Sequence, residues 1–166
     1  YTIRQAEGLG GKVATRSGNR QAEIIEVDVM YLGESARAIP QGAAVVIRVI
    51  AAAHEEIAEL TVGILVRDRL GNDVFGTNSW HHGRSLRTVQ AGGRVQAEFA
   101  IPALNLGIGN YSLTVALHRG DAHISQNYDW WDRVLVFQVT PSELPRGIGS
   151  TYLPAVVTLA PTPSPR

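Results

Sequence analysis

The strongest constraint on this chain is a two-residue alternation of apolar and polar side chains, repeated in short runs and interrupted by glycine, proline and asparagine. Successive side chains of a β-strand point to opposite faces, so each run describes a strand with one face buried. In "EIIEVDVMYL" (Glu23–Leu32), Ile25, Val27, Val29 and Tyr31 share one face and Glu26, Asp28 and Met30 the other. "AVVIRVIAA" (Ala44–Ala52) aligns Val45, Ile47 and Val49, and "LTVGILVRD" (Leu60–Asp68) aligns Val62, Ile64 and Val66. "RVQAEFAIP" (Arg94–Pro102) aligns Val95, Ala97, Phe99 and Ile101. "YSLTVALHR" (Tyr111–Arg119) aligns Tyr111, Leu113, Val115 and Leu117, and "RVLVFQV" (Arg133–Val139) aligns Leu135, Phe137 and Val139. The breaks "GND" (71–73), "AGG" (91–93) and "GIGN" (107–110) supply the positive-φ residues of tight turns. Only "AHEEIAEL" (Ala53–Leu60) has room for a helical turn or two, and it reads equally well as an acidic loop. The expectation is an all-β sandwich of antiparallel strands.

A length of 166 residues fits one domain with a sizeable core. Fifteen basic residues balance fifteen acidic ones, so no overall field draws the chain to nucleic acid or an anionic membrane. There is no cysteine, which excludes disulfides and thiolate metal sites. No apolar run approaches the roughly 20 residues that cross a bilayer. The start at Tyr1, without Met or a leader pattern, reads as a domain excised from behind a partner domain. Residues 1–22 read as a linker or N-terminal edge and 23–140 as the sandwich. Residues 141–160 read as a flexible connection with one more apolar segment, and "PTPSPR" (161–166) as a disordered tail. Val134 and Val136 lie opposite Leu135 and Phe137, so both faces of that strand are apolar and the outer one needs a cover. The late "YLPAVVTL" (152–159) can add as a strand to its own chain or to a second copy.

Catalytic and metal patterns are weak. In "WHHG" (80–83) the histidines are adjacent, and on a strand they would point apart rather than share a metal. "YDWWD" (128–132) sets two carboxylates around two indoles, but local spacing does not establish a glycosidase pair; turn and capping roles are the plainer reading. No serine stands in a nucleophile elbow, "GLGGK" lacks phosphate-loop spacing, and "DRLGND" is too short for a calcium loop. The chain therefore reads as a non-enzyme without metal or cofactor. What remains is aromatic. Indole faces stack on the C–H faces of sugar rings, while His, Arg and Tyr bond hydroxyls. Trp131 reads as core, Trp80 and Trp130 as exposed. Ser112, Thr114 and His118 form a polar stripe on an outer sheet face that is either a binding surface or simply solvated.

Three blocks in order, "TVGILVRDRLGNDVFGTNS" (61–79), "GNYSLTVALHRG" (109–120) and "NYDWWDRVLVFQV" (127–139), resemble the C-terminal domain of Wzt, the ATP-binding subunit of ABC transporters that export O-antigen polysaccharide. The resemblance implies an immunoglobulin-like or jelly-roll sandwich in the cytoplasm, at the inner face of the inner membrane, behind a nucleotide-binding domain. It implies a homodimer with an exchangeable C-terminal strand, and non-catalytic binding of the polysaccharide that is to be exported. The matched Asp68, Gly71, Phe75, Gly76, Asn78, Tyr111 and Phe137 read as structural, so contact residues do not carry over. From their side chains, Trp80 and Trp130 are the expected stacking groups, and His81, His82, Arg84, His118, Arg119 and Tyr128 the expected hydrogen-bonding groups. Arginines would favour an anionic cap on the glycan. The alternative is a dimerisation module of the transporter that touches no sugar.

Overall fold

The computed structural model describes residues 15–121 and 126–162. The glycine-rich stretch up to residue 14 and the end of the C-terminal tail lie outside the described residues. The described residues form eleven strands and no helix: β1 (Arg16–Ser17), β2 (Ala22–Tyr31), β3 (Glu34–Ser35), β4 (Ala38–Pro40), β5 (Val45–Ala53), β6 (Ile57–Asp68), β7 (Asp73–Asn78), β8 (Leu86–Val89), β9 (Arg94–Ile101), β10 (Gly109–His118) and β11 (Asn127–Thr140). The larger sheet runs β1-β11-β10-β6-β7, with β4 on β11 and β8 on β6; the smaller runs β3-β2-β5-β9. Pairing is antiparallel throughout except for the short parallel contact of β4 with β11. The segment Ala53–Leu60 is not helical: β6 already begins at Ile57, whose side chain is buried.

The alternation read from the sequence builds the core. Ile47 and Val49 of β5 face Val62, Ile64 and Val66 of β6, with Leu113, Val115 and Leu117 of β10 and Phe137 and Val139 of β11 in the same buried cluster. Tyr111 and Phe137 stack with ring centroids 5.8 Å apart. One phase was misread. Ile25 is the extra residue of a β-bulge between Ile24 and Glu26. The bulge buries Ile24 and leaves Ile25 exposed, while Val27 and Val29 keep the core side.

Two features position the site. First, the β6–β7 hairpin closes on Asp68. Its carboxylate accepts from the Leu70 and Asn72 amides (both 2.9 Å) and from Asn72 Nδ2 (2.9 Å), and Gly71 adopts φ 88°. Asn72 first of all, then these amides, lower the Asp68 pKa. Second, the incoming chain is strapped to β11. Asp129, with no exposed surface, accepts from Arg16 Nε (3.0 Å) and Nη2 (2.6 Å) and from the Ile24 amide (2.8 Å). Arg16 also lies 4.2 Å from the centre of the Trp131 ring.

Candidate functional site

Register sets which side chains share the outer face of the larger sheet, because directly opposed residues point the same way. One row across the sheet is Asn78–Gly63–Ala116–Trp130. The next is Gly76–Leu65–Thr114, and the row on the other side is Thr61–His118–Asn127. Two glycines and an alanine in the middle leave a depression. A Cβ on Gly63 would meet Asn78 Cβ at 3.5 Å and His118 Nε2 at 3.6 Å, and one on Gly76 would meet Leu65 Cδ1 at 3.1 Å. The resulting slot, about 190 Å³, is floored by Gly63, Gly76 and Ala116 and edged by Asn78, His81, Thr114, His118 and Trp130. Asn78 fixes its upper end. Its Oδ1 accepts from the His81 amide (2.9 Å), and its Nδ2 donates to the Asp121 carbonyl (3.2 Å).

The structure brings three of the expected residues, His81, His118 and Trp130, into this slot and distributes the others. The "WHHG" loop divides. His81 borders the slot, whereas His82 and Arg84 border a second cavity between the sheets. His82 Nε2 lies 3.1 Å from Thr77 Oγ1. Trp80 stands in the loop with 43% of its surface exposed, beside neither cavity. Arg119 is exposed at the end of β10. Tyr128 is not at a surface: it is 1% exposed and its hydroxyl donates to the Glu59 carbonyl (3.0 Å). Burial above all pushes its phenol pKa up. The polar stripe is not solvated either, since Ser112, Thr114 and His118 are all buried. Among the described residues no three His, Asp or Glu side chains are grouped to hold a metal.

The two carboxylates of "YDWWD" point to opposite sides of the sheet. Asp129 shares the core face with Leu117, while Asp132 bonds Thr114 on the outer face (2.8 Å), so they cannot act as an acid–base pair on one ligand. The sequence reading did not pair Asp132 with Arg67. Arg67 Nη1 donates to Asp132 (2.7 Å) and Nε to Asp73 (2.7 Å). Burial works against the Arg67 charge, but Asp73 and Asp132 outweigh it and raise the pKa.

The second cavity is larger and apolar. The sheets part along their edge strands β7 and β9, leaving about 990 Å³ lined by Val74, Phe75, Val95, Ala97 and Phe99 among others. Thr151, at its end, bridges to Leu106, and Gly107 passes so close to Gly149 that a Cβ there would strike the Gly149 carbonyl. Beyond Tyr152, whose amide donates to the Asn105 carbonyl (2.9 Å), the chain leaves the fold. Leu153, Val156, Val157 and Leu159 are then exposed by 78–97%.

The described residues form a two-sheet β-sandwich with a small polar depression on the outer face of the larger sheet. The sequence pattern of the Wzt C-terminal domain matches residues 13–151, and the chain belongs to that family. No curated protein matches the chain. Among solved structures it is similar to one described as the crystal structure of the C-terminal domain of wzt, with TM-score 0.77 and 18% identity over 89% of each chain. That likeness bears out the expected all-β fold. Membership supports a role in an O-antigen ABC transporter and makes this a non-catalytic domain. No helix of the described residues is long and apolar enough to cross a membrane.

Proposed function

We propose that the outer-face slot binds one sugar ring of an O-antigen polysaccharide and so selects that polymer for export. The observation that carries this reading is the slot itself: an indole, Trp130, stands beside a floor stripped of side chains by Gly63 and Ala116, with Asn78, His81 and His118 at the rim. A flat apolar wall and convergent polar groups around the volume of one ring suit a pyranose better than an extended peptide or a drug-sized ligand. Trp80 and Arg119, exposed nearby in sequence, are candidates for contacts beyond the slot. The ATPase of the transporter would be a separate domain, which would hold this one at the cytoplasmic face of the inner membrane.

A second reading concerns assembly. The open groove at β7 and β9 and the solvent-exposed apolar run Leu153–Leu159 are complementary in chemistry. A homodimer that exchanges this run would cover both. Were dimerisation the domain's whole role, Trp80 and Trp130 would be interface groups and no glycan would bind.

The experiment is an amide NMR titration with O-polysaccharide from the encoding bacterium, against an unrelated O-polysaccharide. The expected outcome is saturable shifts with the cognate polymer alone, centred on Gly63, Ala116 and Trp130. Trp130→Ala should weaken binding by about 10–100-fold, the worth of one aromatic stacking contact. Absence of shifts with the cognate polymer would overturn sugar recognition and favour the assembly reading.

A further inference from the structure

We propose that Asp132 and Arg67 form a second subsite beside the slot, which takes a pair of adjacent free hydroxyls on an uncharged sugar residue. This rests on the reading of the outer face given above and adds to it a ligand chemistry and two residues.

The subsite is preorganised. On β11 three residues, Asp132–Val134, oppose Thr114 alone, because the ladder pairs Leu113 with Leu135 and Val115 with Trp131. Such a bulge leaves an amide without a ladder partner and redirects a side chain. Here Thr114, 1% exposed, takes up both: its Oγ1 accepts from the Arg133 amide (3.0 Å) and donates to Asp132 Oδ1 (2.8 Å). Arg133 holds φ 51°, a conformation that β-strands avoid. Arg67 Nη1 completes the hold on the same oxygen at 2.7 Å. A carboxylate gripped from two sides on a paired sheet cannot drift when a ligand arrives.

The groups left over define the ligand. Asp132 Oδ2 accepts no hydrogen bond among the described residues, and Arg67 uses Nε and Nη1 but not Nη2. Both side chains keep contact with solvent, at 24% and 22% exposure. The pair thus offers an acceptor and adjacent donors in fixed positions. Two neighbouring hydroxyls, each able to donate and accept, satisfy both at once. An anion is disfavoured, because the single Arg67 charge already faces two carboxylates, Asp73 and Asp132. This corner therefore selects against the phosphate or acid cap that the arginine content of the sequence invites. Thr114 also lines the slot, which places the subsite one strand row away, within reach of the same or the next sugar residue.

The test uses the whole chain and O-polysaccharide purified from the encoding bacterium, native and after periodate oxidation, which cleaves adjacent diols. Affinity is measured by calorimetry for wild type, Asp132→Asn, Arg67→Lys and Trp130→Ala, with thermal melts as a folding control. The expected result is that the native polymer binds wild type with little change between low and high salt. Asp132→Asn and Arg67→Lys should each weaken it by about tenfold or more, since each removes a hydrogen bond to a charged group. Periodate treatment should abolish binding. If Trp130→Ala weakens binding while folded Asp132→Asn and Arg67→Lys bind as wild type, the subsite is overturned and the slot stands. Binding that collapses with added salt, the mark of an anionic ligand, also overturns it. No binding of the native polymer to wild type overturns the subsite and the slot together.

Discussion

The two cavities of this domain arise in opposite ways. The outer slot is missing side chains: Gly63 and Ala116 sit in strands paired on both sides, β6 and β10, and Gly76 pairs with Leu65, so the floor is held by the sheet's own hydrogen bonds. The groove between the sheets is missing a neighbour: β7 and β9 are edges, and Val74, Phe75, Val95 and Phe99 line a space that no described strand fills. A slot made by subtraction suits a small ligand that must be measured. A groove made by an absent strand suits a segment of polypeptide, which brings its own hydrogen bonds to an unpaired edge.

The largest expected effect falls on the groove. Deleting residues 152–160 should convert a dimer into a monomer, read by sedimentation, while the slot keeps its glycan affinity. A chain that is monomeric before deletion, or dimeric after it, breaks the assignment of the groove to a second copy.

Next comes the slot. In Gly63→Ala the new Cβ meets Asn78 and His118 at ordinary contact distances, so the fold should hold, with a gain of up to about 1 kcal/mol from a stiffer unfolded chain. Glycan affinity should nevertheless drop severalfold, with no change in sedimentation. Equal affinity in the variant would mean that the ligand does not reach the floor.

The smallest effect falls on neither cavity but on the stability of the sandwich that carries both. Glu23, Asp28 and Asp68 all have lowered carboxyl pKa values. At Glu23 the His54 hydrogen bond leads, with Arg16 and Arg20 adding and burial opposing. At Asp28 burial opposes but Arg37 and Ser35 outweigh it. Asp68 owes its shift first to Asn72. A folded value below the unfolded one means that the unfolded chain binds more protons in acid. Their stabilisation is therefore complete above the usual carboxylate range, about pH 4, and fades as pH falls through the depressed values. Melting temperature should decline from pH 6 to pH 3, and Asp68→Asn should flatten part of that decline.

Much of the fold was legible because apolar side chains alternate along the strands, as in β5, where every second residue is buried. Val62, Ile64 and Val66 announce β6 by alternation alone. Ile25 was misread because a bulge shifts phase without any change in residue type. The stripe Ser112–Thr114–His118 was read as a binding surface or a solvated face; it is buried, because a pattern along one strand does not reveal what side chains of the flanking strands, such as Asp132 on Thr114, close around it. For the site, Trp130 and the histidines were visible as unusual residues. Gly63 was not, although a glycine inside a strand is itself a signal of close approach or of space kept clear. Asp132 and Arg67 are 65 positions apart, and their pairing exists only through the register of β6, β10 and β11.

The strap at Asp129 has a mechanical consequence. Arg16 grips a carboxylate one residue from Trp130, and the Asp132 amide donates to the Thr15 carbonyl at 2.8 Å. Were a polymer held at Trp130 as proposed, a pull between it and the chain at Thr15 and Arg16 would pass through only a few residues of β11.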